Sequence, residues 1–466
     1  MKAFVRRDGR RAAVEVDDAN PLGRGATARI CPVLSPEFSD RLAKVYVDPA
    51  KVDEAKLAAM LENPPSAVWI NVGGHTYPQY AWPTHLLRER KGRLLGYLMP
   101  RVDEKQSLTL DFFYDRHLLG AQGLRERTLG VQLELARNLS AALADLHAHG
   151  HCFVDFKPQN IKVFRSVHLV ALLDCDSYRI AGAGPRSFPA TNFSSEYIAP
   201  EAFEEPLGPR GLAEAQDRFA LAVVLFQLLD NGIHPFQGIQ VTGPEHDTTD
   251  EMVRAGLYAY GVAAHPAVRP LPQSVHHLFD DRSRALFDRA FTSRERPHAR
   301  EWADHFQRVL SEKQLERCAL HPSDPTHIHF AGKGCAACHY RRVVSEARRA
   351  TSAVAGAPAA DLPRHVWPVV HRVLAAELFL MVMQWAGCAV VQGQWPHGFI
   401  VGVFLTLSFG GVFVAMRASL RRDMQSSGQP GEVTLKLGTK KHVGLWLGAA
   451  FMAFLIVSSF VTITQR

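Results

Sequence analysis

The run Asp155-Phe156-Lys157-Pro158-Gln159-Asn160, a short apolar strand after it, and then Asp174-Cys175-Asp176 constrain this chain more than any other feature. Charged and amide groups flanking a strand belong on loops, and these two loops must lie side by side for their groups to act together. An aspartate can accept the proton of an attacking hydroxyl, while an asparagine and a second aspartate are oxygen ligands for magnesium, a hard cation. The residue types and spacing point to metal-assisted phosphoryl transfer. An acidic loop beside a buried strand is the bland alternative, and the rest of the chain weighs against it.

At 466 residues the chain exceeds one ordinary core, and a length prior suggests two to three units. Net charge is +7, from 53 basic and 46 acidic residues, which raises the question of nucleic acid. Much of the excess flanks apolar runs in the last hundred residues, at Arg342, Arg348, Arg349, Arg417, Arg421, Arg422, Lys440 and Lys441. Such a distribution suits membrane orientation, not base recognition, so no nucleic-acid partner is expected. There are 7 cysteines, an odd number, and Cys318, Cys335 and Cys338 lie close together, which favours a metal site in a reducing compartment over a disulfide framework. The charged start, Met1 to Arg11, lacks an apolar h-region, so no cleaved signal peptide is expected.

Asp155 to Asn160 resembles the D-L-K-P-E-N catalytic loop of eukaryotic-type protein kinases. The resemblance implies that Asp155 is the catalytic aspartate, that Lys157 meets the transferred phosphate, and that Asn160 and Asp174 hold magnesium. Two departures stand out. Phe153-Val154 replaces the usual H-R, removing the partner of an activation-loop phosphate, and D-C-D replaces D-F-G, removing the glycine hinge of the metal loop.

Other segments fall in the order that the family requires. Leu22 to Ile30 reads as a tight glycine turn between strands, and Leu42 to Tyr46 as a strand that projects a lysine. They resemble the phosphate-covering loop, with Gly23 and Gly25, and the strand whose lysine, here Lys44, pairs the ATP phosphates. Val52 to Leu61 is rich in helix formers and is stopped by Asn63-Pro64-Pro65. By resemblance this helix offers a carboxylate to Lys44, and Glu54 is the candidate. Gly96 to Val102 resembles the last small-lobe strand running into an adenine-binding hinge near Met99. Leu133 to His149 carries a helical apolar stripe, and a helix C-terminus explains His147, His149 and His151 without a metal. Tyr197 to Glu201 resembles the A-P-E end of an activation segment, with Thr191, Ser194 and Ser195 as autophosphorylation candidates. Asp217 would bond catalytic-loop backbone, and Arg296 would pair with Glu201. The resemblance spans residues 15 to 310.

Cys318-Ala319-Leu320-His321 and Cys335-Ala336-Ala337-Cys338 form C-x-x-H and C-x-x-C knuckles joined by a hairpin-sized insert, which suits a closed structural zinc site. His327, His329 and His339 are substitute ligands. Three apolar stretches, 373–391, 398–416 and 443–464, are each long enough to span a bilayer. Basic flanks leave the N-terminal part cytoplasmic. Glu377 lies near the basic end of the first stretch, where interface water, His371 or Arg372 is within reach.

The expected architecture is α+β: a bilobal protein-kinase-like fold (residues 1–312, lobes dividing near 100), a zinc knuckle (313–342), a basic linker (343–364) and a membrane domain (365–466) with three transmembrane helices. The expected function is that of a bacterial, inner-membrane, multi-pass serine/threonine-protein kinase using ATP, Mg2+ and structural Zn2+ on protein substrates. A nucleotide-binding pseudokinase scaffold and a small-molecule hydroxyl kinase are the alternatives, and oligomeric state is left open.

Overall fold

Strand β1 (Lys2–Arg7) turns through Asp8 and Gly9, both with positive φ, into β2 (Arg10–Glu15). Two left-handed residues match the twist of a two-residue hairpin. Ala3, Val5 and Val14 face inward and begin the small-lobe core. Next come β3 (Gly23–Arg24), β4 (Ala28–Pro32) and β5 (Arg41–Tyr46). A side hairpin of β6 (Trp69–Val72) and β7 (His75–Pro78) turns through Gly73 and Gly74. Strands β8 (His85–Arg88) and β9 (Leu94–Pro100) complete an antiparallel sheet ordered β2-β1-β8-β9-β5-β4-β3. A Cβ at Gly96 of β9 would lie 1.9 Å from the Lys44 carbonyl oxygen, so glycine lets β9 close on the strand that carries Lys44.

The coordinates are a computed structural model that describes residues 1–124 and 128–356. Met1–Gly356 is one compact unit. Among the described residues no helix is long and apolar enough to cross a membrane. The three stretches expected to span a bilayer, and the end of the basic linker, lie outside the described residues.

In the large lobe, helix Leu129–Ala148 is capped by Thr128, whose hydroxyl accepts the Val131 N–H at 3.2 Å. Its buried stripe includes Leu133, Ala136, Leu139, Leu143 and Leu146, as the periodicity predicts. It packs against helices Glu214–Leu229 and Ala299–Ser311. A three-stranded sheet, β10 (Ser107–Thr109), β11 (Ile161–Phe164) and β12 (Val170–Leu172), pairs Ile161 with Leu172. The Leu173 N–H then donates to the Asn160 carbonyl at 2.9 Å, which closes the two loops of the sequence signature onto each other. The architecture is thus bilobal α+β.

Residues Leu315–Arg317 and Ile328–Phe330 form a hairpin whose Phe330 ring lies 6.4 Å from Phe279 of the large lobe. Helix Ala336–Gly356 follows, so the division expected between knuckle and linker near residue 343 falls inside one continuous helix.

His234 is held in its neutral form. Its Nε2–H donates to the Glu196 carbonyl at 3.0 Å, while Nδ1 accepts the Phe236 N–H at 3.2 Å. Burial lowers its pKa from 6.5 to about 4, so between those values only the unfolded chain binds the proton. The contribution of this residue to stability is therefore complete above pH 6.5 and declines as pH falls toward 4. Urea midpoints measured across that window should drop, and His234→Gln, which keeps a donor and an acceptor, should flatten the decline. A midpoint independent of pH there would contradict this account.

Candidate active site

Asp155 sits after a strained turn. Val154, a buried β-branched residue, has φ of 66°, a conformation that costs about 1–3 kcal/mol. What holds it is Asp217, fully buried at the start of its helix, whose two carboxylate oxygens accept the N–H groups of Phe153 at 2.7 Å and Val154 at 2.6 Å. His147 also meets Asp217, at 2.9 Å. The other two histidines expected to need no metal have partners as well: His149 at the Asp145 carbonyl (2.8 Å) and His151 at the Asn63 carbonyl (2.8 Å).

Around Asp155 the loop residues converge. The Asn160 amide donates to Asp155 Oδ2 at 3.1 Å, and Lys157 Nζ lies 2.8 Å from the same oxygen. Asp155 Oδ1 is buried and accepts no hydrogen bond among the described residues. Lys157 also donates to the Ser194 hydroxyl at 2.6 Å, so its ammonium bridges the aspartate and a serine of the following segment. Asp174 adopts a left-handed conformation (φ 57°) leading into the turn Cys175–Ser177, which places Asp176 inside that turn. Asn160 and Asp174 provide the oxygen donors of the loop pair. Their chemistry fits a hard cation.

Lys44 is buried on β5, and its ammonium lies 2.8 Å from Asp174 Oδ1 and 2.5 Å from Asp176 Oδ1. Burial alone would lower its pKa, but the charges of Asp176 and Asp174 outweigh that and raise it well above the usual lysine value. Gly23 pairs with Ile30 across the β3–β4 hairpin, and the Gly25 N–H donates to the Ala28 carbonyl at 2.9 Å. Met99 is buried at the end of β9, opposite Leu42 of β5.

Glu54 requires a correction. It occupies the first position of helix Glu54–Glu62, nearly half exposed, and pairs with Arg88. The inward residue of that helix is Lys56, whose ammonium donates to the Pro189 carbonyl at 3.0 Å. Burial lowers its pKa to about 8, opposed by the charges of Asp176 and Asp53. At 100° per residue Lys56 shares a face with the buried Leu57 and Met60, and Glu54 does not. That arithmetic was available from sequence alone. Asp176 is the other residue missed, because it was read as a lost hinge and not as a carboxylate. Its signal was Tyr46, in alternation with Lys44 on the strand, and Tyr97 near the end of the small lobe.

Arg296 forks onto Glu201, with Nη2 to Oε2 at 2.8 Å and Nη1 to Oε1, and so anchors the 197–201 stretch. Thr191 and Ser195 are exposed and Ser194 is partly buried.

A second constellation lies in the knuckle. Ligand atoms of Cys318, His327, Cys335 and Cys338 all fall within 4.8 Å of one another. His327 Nδ1 is 3.4 Å from the sulfurs of both Cys335 and Cys338. His321 does not join this group and is exposed, which corrects the C-x-x-H expectation. The reason is hairpin geometry: the Cys318 N–H donates to the His327 carbonyl at 2.8 Å, so these residues face each other across the strands. Three thiols and an imidazole nitrogen fit tetrahedral zinc. His329 turns to the Phe330 carbonyl and His339 to the Pro272 carbonyl.

No protein-family profile matches the chain. It is similar to Protein kinase YegI of Escherichia coli O157:H7, 26% identical over 320 residues, a match covering 66% of this chain and 46% of that protein. Protein kinase YegI of Escherichia coli (strain K12) matches at 26% over 325 residues, with the same coverage. The chain spans about half the length of these curated relatives. Among solved structures, a rhoptry kinase from Toxoplasma gondii aligns with a TM-score of 0.43 and 14% identity, covering 67% of this chain and 84% of that one. The similarity to these two protein kinases extends over about two thirds of the chain.

Proposed function

We propose that this chain is a membrane-tethered kinase that transfers the terminal phosphoryl group of ATP to serine or threonine hydroxyls of proteins. The observation that carries this reading is the buried Asp155 Oδ1, which has no partner among the described residues, on a carboxylate whose other oxygen, Oδ2, lies 2.8 Å from the Lys157 ammonium that also donates to the Ser194 hydroxyl. A carboxylate oxygen so arranged can accept the proton of an attacking hydroxyl, while Lys157 stabilises charge developing on the transferred group. Asn160 and Asp174 would hold Mg2+, which when bound neutralises phosphate charge. Lys44 would pair the phosphates beneath the hairpin carrying Gly23 and Gly25, with adenine near Met99. Ser194, whose hydroxyl already reaches Lys157, supports side chains of serine or threonine length as acceptors.

The test is incubation of the full chain with labelled ATP and Mg2+, with phosphosites mapped by mass spectrometry. Label on serine or threonine is expected. ATP binding without transfer would favour a pseudokinase scaffold, and transfer only to metabolites a small-molecule kinase.

Tethering rests on the stretches 373–391, 398–416 and 443–464 with their basic flanks. Alkaline carbonate extraction of cell membranes should leave the chain in the pellet, and proteases added from the cytoplasmic side should cleave the kinase domain. Release into the carbonate wash would remove the tether. Zinc in the Cys318, His327, Cys335 and Cys338 group would act structurally, since four protein ligands close the site.

A further inference from the structure

Among the described residues, helix Glu54–Glu62 gives Lys44 no ion-pair partner; its partners are Asp174 and Asp176. Glu54 is spent on Arg88 at the helix start, and the inward position holds Lys56, a second ammonium. A lysine placed to pair phosphates still needs a fixed anionic partner, because a buried ammonium without one loses its charge or its orientation. We propose that Asp176 is that partner: it positions Lys44 for the nucleotide in place of a helix carboxylate. This inference rests on the reading of Lys44 as the phosphate-pairing lysine.

Asp176 is held from three directions. Its Oδ1 accepts from Lys44 at 2.5 Å and from the Tyr97 hydroxyl at 3.0 Å, and its Oδ2 accepts from the Tyr46 hydroxyl at 2.8 Å. Tyr46 lies two residues from Lys44 on β5, and Tyr97 stands opposite Lys44 on β9, so all three project from one face of the sheet. Burial works to raise the Asp176 pKa, yet Lys44 and the two phenols carry it below the usual carboxylate value. The phenols remain protonated donors, since burial and the Asp176 charge push both of them up.

Division of labour between the two aspartates follows from exposure. The Asp174 side chain is 36% exposed and the Asp176 side chain 14%. Asp174 is open to a cation, whereas Asp176 is enclosed by the strands and committed to Lys44. The geometry has a functional consequence. Lys44 is oriented by the loop that also bears Asp174, so phosphate pairing and metal binding are set by a single turn, Asp174 to Ser177, and not by where the helix sits.

The experiment measures Mg-ATP affinity of the full chain by displacement of a fluorescent ATP analogue, with melting temperature as a folding control and KM and kcat recorded. Asp176→Asn is expected to weaken Mg-ATP by about tenfold or more, the effect of losing a hydrogen bond to a charged group. Asp176→Glu should restore part of that loss, and Glu54→Gln should stay within about twofold of the parent, as exposed ion pairs contribute little. A double-mutant cycle separates positioning from mere structure: Lys44→Met with Asp176→Asn should bind no more weakly than Lys44→Met alone. Should Asp176→Asn fail to fold, Tyr97→Phe removes one donor to the same carboxylate and should weaken Mg-ATP in the same direction. Additive losses in the cycle, or equal losses in Glu54→Gln and the Asp176 and Tyr97 variants, would overturn the proposal. A parent chain that binds Mg-ATP yet transfers no phosphate sinks the kinase reading but leaves the positioning result standing, and a parent that binds no Mg-ATP overturns both.

Discussion

Asp155→Asn is expected to lower phosphoryl transfer by about 10²–10⁴-fold, the contribution typical of a positioned general base, while leaving Mg-ATP affinity within a small factor of the parent. The substitution is close to isosteric. An asparagine oxygen can still accept from Lys157 or Asn160, so the packing of the loop survives. What it removes is basicity at the buried Oδ1, the oxygen of that carboxylate with no donor among the described residues. The loop backbone is held independently by Asp217, so a change at residue 155 does not release the strained Val154. Rates should be followed as single-turnover transfer of labelled phosphate, with nucleotide affinity measured in parallel. Unchanged transfer would take Asp155 out of the chemistry, and equal losses in affinity and transfer would make it a binding residue.

Much of this site was legible because each critical residue is tied to a local pattern. Asp155, Lys157 and Asn160 share one loop, and Asp174 follows one strand pair later, so short-range spacing sufficed to bring them together. Arg296 with Glu201 and Asp217 with Phe153 and Val154 were legible only through the family resemblance, since nothing local links residues so far apart. Two of the three misses share a cause. Glu54 is the candidate that the family resemblance offers, but helical phase decides which side chain turns inward, and it turns Lys56 inward. His321 was favoured over His327 by the two-residue gap, when the pairing of Cys318 and His327 across a hairpin decides which imidazole reaches the thiols. In both cases the three-dimensional period of the element outweighed linear spacing. Asp176 is different in kind: its partners Lys44, Tyr46 and Tyr97 come from strands far away in sequence, and only the closed cleft joins them.

Removing the knuckle's metal should have the largest effect on stability. Structural zinc contributes about 10–16 kcal/mol in small modules, as much as the whole stability of an ordinary domain. Beside the thiol and imidazole group, the knuckle is held by two three-residue strands, by Phe330 buried against the large lobe, and by the contacts of Lys333 with Asp281 and His339 with the Pro272 carbonyl. Without the ion, three thiolates and an imidazole held within 4.8 Å would repel or protonate, and the hairpin would lose its closure. The purified chain is therefore expected to carry one zinc. Chelation or Cys335→Ser should release it, make the thiols titratable, and free Phe330 from Phe279 with a fall in melting temperature. Metal content separates the two candidate imidazoles: His327→Ala should lose zinc and His321→Ala should keep it, because only His327 faces Cys318 across the strands. Zinc retained by the former and lost by the latter would restore the C-x-x-H assignment, and a chain with no bound metal at all would overturn the structural zinc site.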